Sequence, residues 1–407
     1  MRAFIASSVW LMVLVETGAL PAQTPDALHK MFEGNQVFAL RDAVDHGHAP
    51  LFYRGAVEAS LNRIGPAQRD LRKVVAAGPH SKDAYEGRDL LGNLYFRNGL
   101  YREALAEIEA QHLERPDAAD VKNALPLFRT LSEAGDMRVV QRRRSKFMRV
   151  GDDRKSLPVF VNGKQVNYGF DTGAAISVMG VSDAKLLGLS VTNVDTKLRE
   201  ASGTDIPGVS IAVAKDLVIG GLHLRNVAFY VLQDTREPFV DVPVGSRGLI
   251  GLPVLIAMQA LRWGTSGQFE MGLRASHEKA PAQNLMFVES APVVQVSVEG
   301  NPLGFSLDTG AVDTDLNESF ARAFPDLVSA GQKQSQAITG MGGSSQYDSV
   351  LLGPVVFRVG GLEVTLKAPH VFVSHSLGKF DGNLGHDILD QAHAVTLDFR
   401  AMELVLE

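Results

Sequence analysis

The chain of 407 residues contains no cysteine. That excludes disulfide staples, a thiol nucleophile and thiolate metal sites, and leaves an oxidising compartment open. Tryptophan occurs only at Trp10 and Trp263, too few for an aromatic carbohydrate platform. No charge of one sign accumulates: a formal net charge of −6 implies no strong attraction to nucleic acid. No apolar run is long enough to span a bilayer. The zinc-protease pattern of two histidines with a glutamate is missing, as is a Gly-x-Ser-x-Gly elbow. His46, His48 and His386 lack companion ligands, so neither a metal nor a cofactor is implied.

What is present is a phrase that occurs twice. It reads Phe170-Asp171-Thr172-Gly173-Ala174 and then Leu307-Asp308-Thr309-Gly310-Ala311, 137 residues further on. That spacing is the size of a small domain and suggests duplication of a whole lobe. Each copy follows an alternating apolar stretch and a turn. The first is Leu157 to Val161 with Asn162-Gly163 behind it, the second Val293 to Val298 with Glu299-Gly300. Both predict a strand, a tight hairpin and a second strand that delivers the aspartate. Two close carboxylates cannot both ionise cheaply, so they share a proton. Such a pair holds a water, takes its proton and returns one to a leaving amine.

At these residues the chain resembles aspartic proteases of the retropepsin type, whose motif is Asp-Thr/Ser-Gly, often followed by Ala. The family also carries an apolar-apolar-Gly segment that closes each lobe. Leu249-Ile250-Gly251 fits it well; Asn383-Leu384-Gly385 fits it less well, because Asn replaces the first apolar residue. The resemblance covers residues 140 to 407. It implies an all-β, two-lobed acid-protease fold, a duplicated retropepsin-like barrel, with Asp171 and Asp308 as the catalytic pair. Thr172, Gly173, Thr309 and Gly310 would support the loops. A flap would fall in each lobe, at Ser202 to Ile206 with Gly203 and Thr204, and at Gly340 to Ser345 with Gly342. The glycine-rich stretch around Gly340 and Gly342 is not followed by Lys-Ser/Thr, which argues against a phosphate cradle. Asp313 and Asp315 are extra acids after the second motif and are expected in solvent.

The rest of the chain divides as follows. Residues 1–22 look like a secretory signal: Arg2, an apolar core from Val9 to Val15, and Ala19-Leu20-Pro21-Ala22 for cleavage. This places the protein outside the cytoplasm, secreted or periplasmic. Residues 25–135 have helical periodicity. Leu91-Gly92, Tyr95, Ala104, Ile108 and Pro116 resemble a tetratricopeptide repeat of paired all-α hairpins, loosely preceded by Leu61, Leu71 and Val74. Such a domain either binds a protein partner or props the remainder. Arg142, Arg143, Arg144, Lys146 and Arg149 form a basic run that reads as a solvated edge strand rather than a nucleic-acid patch. The first lobe is expected at 138–275, a linker at 276–290 and the second lobe at 291–407. Two functions follow: an aspartic endopeptidase acting on peptide or protein substrates, or a non-catalytic binding protein that keeps the fold and works through its helices. Aspartates intact in both lobes favour the enzyme.

Overall fold

A computed structural model describes residues 24–151, 155–199, 205–273, 282–340, 343–373 and 379–407. The expected signal segment lies outside these residues. The chain first forms seven helices: Pro25–Glu33, Val37–Asp45, Leu51–Ser60, Ile64–Ala77, Lys82–Arg97, Tyr101–Glu114 and Ala119–Ala134. Two begin on side-chain caps, Thr24 Oγ1 accepting from the Ala27 N–H and Ser81 Oγ from the Ala84 N–H. Short links fold each helix back on the one before, and Leu71, Leu91, Leu94, Ala104 and Leu131 are fully buried between them. No helix among the described residues is long and apolar enough to cross a membrane.

Two curled sheets follow, and their strand orders match. The first runs Val191–Arg199, Asp205–Ala214, Val227–Leu232, Ser177–Gly180, Gly248–Ile250, Lys164–Phe170, Leu157–Val161, Leu217–Ile219, Leu222–Arg225, with Arg138–Arg142 added at the edge. The second runs Gln332–Gly340, Gly343–Leu351, His370–Phe372, Asp315–Leu316, Gly382–Leu384, Asn301–Leu307, Ala291–Val298, Val355–Val359, Leu362–Leu366. Nine strands thus recur in the same order. The hairpins that open each lobe close over two residues, Asn162-Gly163 and Glu299-Gly300, all four with positive φ as such tight turns require.

A five-stranded sheet joins the lobes, in the order Ser145–Met148, Gln268–Met271, Ala260–Gly264, Ala394–Asp398, Glu403–Leu406. Its middle pair crosses from one lobe to the other with Arg262 opposite Thr396, about which the duplication is symmetric. Trp263 packs there edge-on to Phe170, with ring centroids 5.2 Å apart, and so ties this sheet to the first aspartate strand.

Three stretches differ from, or refine, the sequence reading. The expected linker 276–290 contains a strand, Leu285–Val288, paired with Ala291–Val298. Leu285, Met286 and Phe287 are an apolar run that buries itself against the second lobe. The basic run begins in the exposed edge strand Arg138–Arg142 and then turns inward on intramolecular acceptors. Arg142 Nε donates to the Ala257 carbonyl at 2.6 Å, and Arg144 and Lys146 both pair with Glu270. Asp315, expected in solvent, is half-buried beside other acids.

Candidate active site

Each aspartate is delivered by parallel pairing. The strand Lys164–Phe170 runs beside Gly248–Ile250, and Asn301–Leu307 beside Gly382–Leu384. The Asp171 N–H then donates to the Ile250 carbonyl at 2.9 Å and the Asp308 N–H to the Leu384 carbonyl at 3.0 Å. Both loops are held by the segment that closes their lobe. The Leu252 N–H donates to Ala174 and the His386 N–H to Ala311, each at 2.9 Å. Ser177 Oγ accepts from the Gly251 N–H and Thr314 Oγ1 from the Gly385 N–H, each at 3.0 Å. The closing segments named from sequence therefore carry the loops directly.

The threonines lock the two loops to each other. The Thr172 N–H donates to Thr309 Oγ1 and the Thr309 N–H to Thr172 Oγ1, both at 3.0 Å. Each hydroxyl then donates onward across the axis, Thr172 to the Leu307 carbonyl at 2.7 Å and Thr309 to the Phe170 carbonyl at 3.1 Å. Thr172 and Thr309 are both buried, so these bonds are shielded from competing water.

This grip sets the carboxyls side by side. A Cβ on Gly173 would lie 2.9 Å from the Asp308 carboxyl carbon, and one on Gly310 would lie 2.8 Å from that of Asp171. Only glycine admits so close an approach at either place. Asp171 Oδ1 accepts from the Gly173 N–H at 2.7 Å, and Asp308 Oδ1 from the Gly310 N–H at 2.8 Å. Burial first, and the adjoining Asp308 second, push the Asp171 carboxyl well above the ordinary carboxylate range, against the pull of the Gly173 and Ala174 amides. The Asp171 carboxyl is thereby held toward its protonated form.

The surroundings of the two aspartates are unequal. Asp308 Oδ2 accepts from the Asn383 side-chain amide at 3.3 Å, while Leu249 stands at the corresponding place in the first lobe. Asp315, whose pKa burial and the neighbouring Asp313, Asp387 and Asp308 push up to about 7, lies on the same side.

Each lobe carries a hairpin where a flap was expected. That of the second lobe pairs Gln332–Gly340 with Gly343–Leu351 in unbroken register, ending at Gly340 opposite Gly343. Gly342 lies outside the described residues, as do Gly203 and Thr204 of the first lobe. The first-lobe hairpin pairs Val191–Arg199 with Asp205–Ala214 and shifts register between Val194 and Lys197. There the helix Ala119–Ala134 grips it. Asn123 Nδ2 donates to the Lys197 carbonyl at 2.8 Å, and its Oδ1 accepts from the Lys197 N–H at 2.9 Å. The Thr196 hydroxyl donates to the Asn123 carbonyl at 2.6 Å. Asn123 and Asn383 carry no sequence motif of their own. For Asn383, the misfit in an otherwise apolar segment was the available signal. Among the described residues no group of three or more acids and histidines suits a metal ion.

Residues 157–254 match the family model described as aspartyl protease. No curated protein matches the chain. Solved structures similar to it include a retropepsin-like aspartic protease from Rickettsia conorii, at 18% identity and a TM-score of 0.23, covering 33% of this chain and 93% of that one. Another is the EIAV protease complexed with the inhibitor HBY-793, at 24% identity and a TM-score of 0.19, covering 29% of this chain and 93% of the other. Through residues 157–254, which include the first Asp-Thr-Gly loop, the chain is similar to aspartyl proteases, and a helical domain stands in front of that stretch.

Proposed function

We propose that this protein is an aspartic endopeptidase whose active site is Asp171 and Asp308. The observation that carries this reading is the reciprocal threonine grip, which sets two carboxyls from two lobes against each other's loops. A carboxylate and a carboxylic acid so placed hold one water between them. The carboxylate takes a proton from the water as its oxygen attacks the peptide carbonyl. The acid hydrogen-bonds the carbonyl oxygen as charge develops there. Collapse of the tetrahedral intermediate breaks the C–N bond, and the proton taken from water passes to the leaving amine. The hairpins at Val191–Ala214 and Gln332–Leu351 are read as flaps that cover the substrate and exclude water. An export signal at residues 1–22 would place this activity outside the cytoplasm.

The competing reading is a binding protein that acts through its helices. It draws on a cavity of about 500 Å³ between the helical domain and the second lobe, lined by Phe32, Leu90, Arg97 and Phe287 among others. Digestion of an unfolded protein mixture across pH, with and without pepstatin, separates the two. Cleavage should appear, fall with pepstatin, and vanish in folded Asp171→Asn and Asp308→Asn variants. Cleavage that persists in both variants overturns the assignment.

A further inference from the structure

Three positions break the symmetry of the duplicated lobes together. In the first lobe Leu249 stands opposite Gly169 on one side and Val178 on the other. In the second lobe the same lattice holds Asn383 opposite Ser306 and Asp315. Gly169 and Ser306 are 137 residues apart, as are Val178 and Asp315, which is the spacing of the aspartates themselves. An apolar patch beneath one aspartate has thus become a polar one beneath the other.

The polar patch is ordered. The Ser306 hydroxyl donates to Asn383 Oδ1 at 2.7 Å, which turns the amide NH2 toward Asp308 Oδ2. A second acceptor, the Gly382 carbonyl, lies 3.3 Å from the same hydroxyl, a longer and weaker bond. An N–H aimed at a carboxyl oxygen favours the charged form of that carboxyl. Leu249 offers no such donor to Asp171. Two equivalent carboxyls would share one proton evenly; one added donor on one side is enough to break the tie.

We propose that Asn383 is a positioning residue that makes the pair unequal: its amide holds the negative charge on Asp308 and so leaves the proton on Asp171. Asp308 is then the group that takes the proton from water, and Asp171 the group that hydrogen-bonds the carbonyl oxygen. These two roles rest on the protease reading; the placement of the charge does not. Asp315 opposes Asn383 when it ionises, because a second charge then faces Asp308. Below about 7 it is neutral and does not compete. The other groups around it are Asp313, Asp387 and His370. Asp387 is already committed to the Thr314 N–H and hydroxyl, at 3.0 and 2.5 Å. Burial holds the His370 imidazole below its usual range, so it supplies little positive charge.

The test is a carboxyl titration of the full chain with ¹³C-labelled aspartate, the two resonances assigned through Asp171→Asn and Asp308→Asn. In the wild-type protein Asp308 should ionise first and Asp171 should keep its proton to higher pH. Asn383→Leu, which copies the first lobe, should bring the two titrations together by about one pH unit, a tenfold change in proton preference. The exchange Leu249→Asn with Asn383→Leu should move the proton to Asp308. A wild-type protein that ionises Asp171 first overturns the proposal whether or not the variants fold. So does an Asn383→Leu protein whose titration is unchanged. Peptide cleavage is scored separately. The expected titration without cleavage would leave this inference standing and remove the protease reading. Cleavage with evenly shared protons would do the reverse.

Discussion

The threonine grip gives the sharpest quantitative expectation. Thr172→Val keeps the shape of the side chain and removes its hydroxyl. Two buried groups then lose their partners: the Thr309 N–H, which donates to Thr172 Oγ1, and the Leu307 carbonyl, which accepts from it. A buried polar group left unsatisfied costs about 1–3 kcal/mol, so the substitution should cost about 2–6 kcal/mol. Thr172→Ser keeps both bonds and gives up one methyl group, about 1 kcal/mol. The Val variant should therefore be at least twice as damaging as the Ser variant, and Thr309 should repeat the pattern. Trp263 is a suitable reporter, because it lies in the sheet that joins the lobes, opposite Val395 of the second. Urea unfolding followed by its fluorescence, in a Trp10→Phe background, reads the lobe interface directly. Equal midpoints for Val and Ser at either site would refute the claim that hydroxyl bonds across the axis hold the loops together.

Four further expectations follow from the same geometry. Asp171 has a folded pKa of about 8, raised above its unfolded value, so between roughly 4 and 8 the folded protein binds more protons than the unfolded one. Its contribution to stability therefore falls as pH rises through that window. Asp171→Asn should flatten this part of the stability profile, and an unchanged slope would contradict the shift. Activity that needs a protonated Asp171 should also decline as pH rises through about 8, read as the alkaline limb of kcat/KM. Asn123→Ala removes the side-chain clasp on Lys197. Hydrogen exchange near Lys197 should quicken several-fold while residues 332–351 stay as they were; equal change in both hairpins would count against a local clasp. Finally, both aspartate loops belong to one chain, and tethering raises the effective concentration of one lobe for the other to about millimolar. Specific activity should thus hold on dilution to nanomolar protein, and a loss that tracks a dimer-to-monomer change in light scattering would show a site built between chains.

The central architecture was legible because it rests on local signals that repeat. Asn162-Gly163 and Glu299-Gly300 demand tight turns, the alternation before them demands strands, and the twice-written Asp-Thr-Gly-Ala fixes what those strands deliver. The less legible parts depend on where strands fall across a sheet. Asp315 looks like one of several surface acids in the sequence, yet its register places it opposite Asn383 and next to buried neighbours. Leu285–Val288 sits in a polar stretch that reads as a linker, and its pairing with Ala291–Val298 becomes visible only in the folded lobe. Asn123 lies on a helix with no motif around it. Its part comes from a side chain that imitates one rung of a sheet, which no periodicity announces.

A duplicated chain retains symmetry where both halves must do the same thing and loses it where they must not. The retained features here are the ones that bring the carboxyls together: the paired turns, the parallel strands, the four threonine bonds and the glycines that admit close approach. The lost ones all distinguish the lobes. Gly169, Val178 and Leu249 form an apolar lattice on the Asp171 side, while on the Asp308 side Ser306 orients Asn383, Asn383 donates to Asp308, and Asp315 adds an acid. The first hairpin is clasped by a helix through Asn123, and the second ends at Gly340 opposite Gly343. These differences point the same way. The first lobe, braced by the helical domain, presents an aspartate suited to keep a proton. The second presents an aspartate suited to lose one, beneath a hairpin that Asn123 does not hold. Two identical chains would have to break such a tie anew on each binding event, whereas one chain with two unlike lobes has it broken in the fold.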